Sequence, residues 1–86
     1  MPHVDVTVLN PHGLHARPAA LFVQKAASFP CSVKVLKGGR SADAKSILGI
    51  MSLAIEPGET IQILAEGEQA EEALEALKQV AADTTA

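Results

Sequence analysis

The chain has 86 residues, 48% of them hydrophobic and only Phe22 and Phe29 aromatic, with a formal net charge of -3 and a pI near 5.5. That length leaves room for one domain, residues 1–86, with an aliphatic core of modest volume. An acidic chain with no polybasic run and no series of stacking aromatics is excluded as a nucleic-acid binder of the usual electrostatic kind, and its apolar runs fall well short of the roughly 20 residues that cross a bilayer.

The opening MPHVDV has neither the basic start nor the apolar centre of a secretion signal, so a cytoplasmic protein is expected. Val4, Val6 and Val8 then alternate with Asp5 and Thr7, the period of two of a half-buried strand, predicted over residues 3 to 9. His3 begins it as an edge or solvent-facing residue. Asn10 to His15 read as a loop through Pro11 and Gly13. Ala19, Phe22, Val23 and Ala26 recur at three- and four-residue spacing and predict an amphipathic helix ending near Ser28, before Pro30.

Cys31 is a lone cysteine and so has no partner for an internal disulfide or a thiolate metal site; a small buried filler at a strand start is the reading it supports. Val33 and Val35 alternate with Ser32 and Lys34, Gly38-Gly39 supplies a tight turn, and a short strand returns through Arg40 to Asp43. Ser46 is placed to cap a short helix, Ile47 to Leu53, that needs docking to be stable. Pro57-Gly58 closes a loop, Ile61, Ile63 and Ala65 mark a fourth strand, and Gly67 opens the next turn. Ala70, Ala73, Leu74, Leu77 and Val80 or Ala81 form the apolar stripe of a last helix. Its glutamates read as a solvated face rather than as an acid–base pair. Residues 83–86 are expected to fray.

The order is therefore β-α-β-β-α-β-α, an α/β (α+β) chain for which helices packed on a sheet in two layers give the simplest burial. At roughly 100° per residue, Ile47, Leu48 and Met51 share one arc of the short helix while Ile50 and Leu53 lie on another. Both arcs cannot face one sheet. Ile50 and Leu53 are the core candidates, leaving Ile47, Leu48 and Met51 as an exposed patch suited to docking a partner protein.

The segment that carries chemistry is Asn10-Pro-His-Gly-Leu-His15-Ala16-Arg17-Pro18-Ala-Ala. It puts His15 at the expected N-cap of the first helix, where the backbone N–H groups of Ala16 and Arg17 can donate to an anion. Pro18 is tolerated in a first turn. A neutral imidazole is both a nucleophile and a good leaving group near neutral pH, which suits a phosphoryl group that must be taken up and released. Arg17 offers paired donors to phosphoryl oxygens, and with the helix dipole it disfavours a protonated ring. On residue chemistry alone, an anion site and a simply capped helix both remain open. His12 with His15, lacking a third ligand, makes a poor metal site, and no metal or cofactor is expected.

Gly13-Leu14-His15-Ala16-Arg17-Pro18-Ala19 resembles the active-site signature of the HPr phosphocarriers of the bacterial sugar phosphotransferase system. Ala44-Lys45-Ser46-Ile47-Leu48-Gly49-Ile50-Met51-Ser52-Leu53 resembles that family's second signature. The resemblance spans the whole chain. It implies a four-stranded antiparallel sheet with three helices on one face, an open-faced β-sandwich. It also implies that enzyme I, phosphorylated from phosphoenolpyruvate, donates to Nδ1 of His15, that Arg17 stabilises the phosphoryl group, and that IIA domains of sugar permeases receive it. The carrier would then be no enzyme on its own account. The first helix and the patch Ile47, Leu48 and Met51 would meet these partners, with the carrier itself a monomer.

Ser46 is a regulatory phosphorylation site in many relatives, which would add a kinase or phosphorylase as partner; a phosphate at a helix N-terminus is accommodated without unfolding. Ala54 stands where many members carry glycine, and His12 stands where members vary. Two other readings stay in view: a paralogue serving a nitrogen-related or regulatory phosphorelay, and a purely regulatory protein acting through Ser46. Relatives of the latter kind lack the active histidine, so the presence of His15 argues against it.

Overall fold

A computed structural model of the chain describes residues 2–11, 13–14 and 16–83. Its elements follow the predicted order: β1 (His3–Thr7), α1 (Ala16–Ala27), β2 (Ser32–Lys37), β3 (Arg40–Asp43), α2 (Ile47–Ser52), β4 (Thr60–Glu66) and α3 (Ala70–Ala82). The strands form one sheet in the order β1-β4-β2-β3. Every neighbouring pair is antiparallel, with Val6 opposite Ile61, Val35 opposite both Ile63 and Ala42, and Val33 opposite Ala65. β1 and β2 thus lie parallel to each other with β4 between them, a split β-α-β arrangement.

Alternation decides which face is covered. Val6, Val33, Val35, Ile61, Ile63 and Ala65 are buried together, while Asp5, Thr7, Ser32 and Lys34 on the opposite face are exposed. On the covered face α1 contributes Ala19, Phe22 and Ala26, and α3 contributes Ala70, Ala73, Leu74, Leu77 and Ala81. Phe22, the one aromatic fully withdrawn from water, sits among these aliphatic groups. Of the two alternatives left open for the last helical position, Ala81 is buried and Val80 packs at the margin. Cys31 is a free thiol, 2% exposed.

One boundary differs from expectation. β1 stops at Thr7 rather than at residue 9 because its partner strand begins only at Thr60: Val8 still bonds the turn just before it, its N–H donating to the Glu59 carbonyl and its carbonyl accepting the Gly58 N–H, and Leu9 N–H then donates to the Ala81 carbonyl. The chain has turned away from β4 towards α3, and Leu9 points out with 52% exposure. α1 stops at Ala27, because the amide and hydroxyl of Ser28 both donate to the Lys25 carbonyl and close the last turn.

The six-residue α2 survives through its ends. Ser46 caps it, its Oγ accepting the Gly49 N–H at 3.1 Å. At the other end Arg40 donates to the Ser52 carbonyl at 2.8 Å, and Lys37 Nζ donates to the Leu53 and Ala54 carbonyls at 3.0 and 2.8 Å. These cations satisfy groups that a helix terminus leaves unpaired and complement its partial negative charge. Ile50 and Leu53 turn inward, essentially inaccessible. Among the described residues, no helix is long and apolar enough to cross a membrane.

Candidate functional site

His15 and His12 lie outside the described residues, so the candidate site is defined by the groups on either side of them. Before it, Gly13 N–H donates to the Asn10 carbonyl and Leu14 N–H to the Ile55 carbonyl at 3.0 Å. Gly13 has φ +62°, and a Cβ on it would fall 2.2 Å from that same Ile55 oxygen. Only glycine fits this approach. Leu14 is fully buried, which nails the chain to the core one residue before the histidine.

After it, α1 opens with Ala16 and Arg17 exposed and Pro18 buried. Ala16 has φ +52°, a left-handed conformation that costs a residue with a Cβ roughly 1–2 kcal/mol. The helix therefore starts with a strained residue beside an exposed guanidinium. Strain of this kind survives only where the surroundings over-determine it, and here the buried Leu14 and Pro18 hold the chain on both sides. The first turn of a twelve-residue helix thus carries an exposed arginine, and helix N-terminal amides and arginine are groups that bind tetrahedral anions.

Beside this mouth, α2 packs against α1. Its outer arc carries Ile47, Leu48 and Met51 at 38%, 79% and 42% exposure. Leu21 of α1, one helical turn from Arg17, is also a large apolar side chain left 42% exposed. Residue patterning missed Leu21, although its position off the Ala19, Phe22 and Ala26 stripe was a usable signal. Ser46 stands half-buried at the start of α2, its hydroxyl engaged as the cap.

Patterning also missed the support beneath. Glu59 Oε1 accepts the Glu56 N–H at 2.7 Å and pairs with Lys37 Nζ at 3.0 Å. The Glu56 N–H first, and Lys37 second, hold its carboxyl below the ordinary carboxylate range. Among the described residues, no group of three or more histidine, cysteine, aspartate or glutamate side chains is assembled to hold a metal.

The frame is a two-layer open-faced sandwich in which α1 opens on an exposed arginine and α2, packed against α1, turns an apolar arc to solvent. The chain belongs to the HPr family of phosphocarriers: the family model described as "PTS HPr component phosphorylation site" matches residues 3–83. Among curated proteins it is 54% identical over 77 residues to the HPr-like protein Crh of Halalkalibacterium halodurans, covering 90% of this chain and 92% of the relative. Among solved structures, the phosphocarrier protein HPr of Bacillus anthracis superposes with a TM-score of 0.91 at 51% identity, covering 93% of this chain and 95% of that one. Crh of Bacillus subtilis, solved as a dimer with a swapped domain, gives a TM-score of 0.75 at 46% identity over 94% and 93% of the two chains.

Proposed function

We propose that this chain carries a phosphoryl group on His15, taking it from phosphorylated enzyme I and passing it to IIA domains of sugar permeases in the cytoplasm. The observation that carries the reading is the conjunction, at residues 13–19, of a family signature with a helix mouth at which Ala16 and Arg17 are exposed and Leu14 and Pro18 are anchored. The neutral imidazole attacks through Nδ1. A P–N bond forms as the bond from phosphorus to enzyme I breaks, its electron pair leaving on enzyme I. The Ala16 and Arg17 amides and the Arg17 side chain receive the phosphoryl oxygens, and the reverse sequence delivers the group to a IIA domain. The chain is an intermediate in this transfer and turns over nothing alone. Ile47, Leu48 and Met51 serve both partners as the docking surface, and Ser46 is the regulatory phosphorylation position, addressed by a kinase or phosphorylase.

The test is incubation with phosphoenolpyruvate and enzyme I, which gives an acid-labile, base-stable adduct that His15→Ala abolishes; labelling that survives the substitution overturns the assignment. Arg17→Glu slows transfer with the fold intact, since Arg17 is exposed.

A second reading is favoured by one observation, the similarity to Crh: a regulatory protein acting through Ser46 and needing no phosphohistidine. His15, absent from relatives of that kind, supports the carrier instead. The working form is the monomer. Sedimentation of the purified chain as a dimer would contradict this.

A further inference from the structure

We infer that Lys37 and Glu59 are positioning residues for the phosphoryl site, tying down the strip 53–56 on which both the loop before His15 and the docking helix stand. The inference rests on the carrier reading of His15.

Lys37 closes β2, 22 residues past the histidine in the chain. Its ammonium has three hydrogens, and the structure offers three acceptors: the Leu53 carbonyl at 3.0 Å, the Ala54 carbonyl at 2.8 Å and Glu59 Oε1 at 3.0 Å. Glu59 Oε1 in turn accepts the Glu56 N–H at 2.7 Å. The pair therefore grips the strip at both ends, by the carbonyls of 53 and 54 and by the amide of 56. These are charge-assisted bonds to backbone, stronger than neutral ones.

Between the two grips lies Ile55, fully buried. Its carbonyl is the acceptor for Leu14 N–H and the atom against which Gly13 is pressed. At the near end, Leu53 N–H donates to Ile50 and Ala54 N–H to Met51, closing the final turn of α2. Ala54 holds φ +52°, a left-handed conformation that a residue with a Cβ leaves readily unless restrained. One short strip thus fixes two things: where the chain stands one residue before His15, and how the helix carrying Ile47, Leu48 and Met51 is seated. Arg40, bonded to the Ser52 carbonyl, is the neighbouring charge on the same helix end and keeps that end held when Lys37 is removed. The change should therefore appear mainly at the strip and the loop.

The experiment uses Lys37→Met, which keeps the aliphatic stem and removes the donors, and Lys37→Arg, which restores charge. Amide hydrogen exchange at Leu14 is compared with exchange at Val35 in the sheet, alongside the rate of phosphoryl transfer from enzyme I. In Lys37→Met, exchange at Leu14 is expected to quicken on the order of tenfold, the equivalent of about one hydrogen bond, with Val35 unchanged. Transfer slows in parallel, and Lys37→Arg recovers both. Unchanged exchange at Leu14, or equal acceleration at Leu14 and Val35, overturns the inference. So does undiminished transfer in Lys37→Met. A wild-type chain that takes up no phosphoryl group while Leu14 still responds to Lys37 would defeat the carrier reading and uphold the coupling.

Discussion

Ile50 and Leu48 lie two residues apart on α2 and should fail in opposite ways when cut to alanine. Ile50 is fully withdrawn from water, so Ile50→Ala removes buried methylenes and leaves a cavity, a loss of about 2–5 kcal/mol. A chain of this length has a total stability of only about 4–13 kcal/mol, and each kcal/mol lowers Tm by roughly 4–8 °C. The variant should melt well below the parent or fail to fold at physiological temperature. Leu48 is 79% exposed, so Leu48→Ala should change folding stability by no more than about 0.5 kcal/mol. Complete burial of a leucine is worth about 1.5–3 kcal/mol. With most of that surface still wet, a docked partner would gain about 1.2–2.4 kcal/mol from covering it, an 8- to 60-fold change in Kd by rough conversion. Urea denaturation followed by far-UV circular dichroism reads the first quantity, and titration calorimetry against enzyme I or a IIA domain reads the second. A Leu48→Ala chain as unstable as Ile50→Ala, or one that binds both partners as tightly as the parent, would refute the division of this helix into inward and outward arcs.

Gly13→Ala sets a Cβ against the Ile55 oxygen at a positive φ and should destabilise by about 3 kcal/mol. Gly38→Ala, also at positive φ but with open space around it, should cost only about 1 kcal/mol; equal melting temperatures for the two would refute the clash. Ser46→Ala removes the α2 cap and should lose about 1 kcal/mol, most of it kept by Ser46→Asp, as urea midpoints would show. Glu59 has its carboxyl lowered by Glu56 N–H and Lys37, so its contribution is complete above the ordinary value of 4.5 and is lost as pH falls through the lower folded value. Glu59→Gln should therefore flatten the acid side of the stability profile, and superimposable acid titrations of the two chains would contradict this.

Local pattern carried much of the architecture. The valines of β2, the Gly38-Gly39 turn and the isoleucines of β4 marked strands because alternation is imposed by the pleat itself. The split of α2 into two arcs followed from helix geometry alone. What lay beyond reach was tertiary in origin. Nothing in Val8 or Leu9 announces that the ladder gives way to the 57–59 turn at Val8 and that the Leu9 amide goes to Ala81, and the alternating valines therefore overextended β1. The sheet order, with β4 inserted between β1 and β2, is invisible to any window of sequence. The same holds at the site. Arg17 and Pro18 could be placed on a helix mouth from chemistry, whereas the Gly13 and Ile55 contact and the Lys37 grip join residues too far apart in the chain for spacing to reveal. Ala54 shows the difference well: it looked like a minor departure from a glycine, and its φ of +52° explains why glycine is the easier residue there.

The burial of Cys31 has a practical side. The chain's sole cysteine is inaccessible to thiol reagents in the folded state, so a second one placed by Lys34→Cys would react alone. Residue 34 is exposed on the bare side of the sheet, across from Asp43 and Leu64, while Ile47, Leu48 and Met51 stand on the helical side. A fluorophore attached there would stand on the face opposite α2 and leave its exposed apolar arc unobstructed.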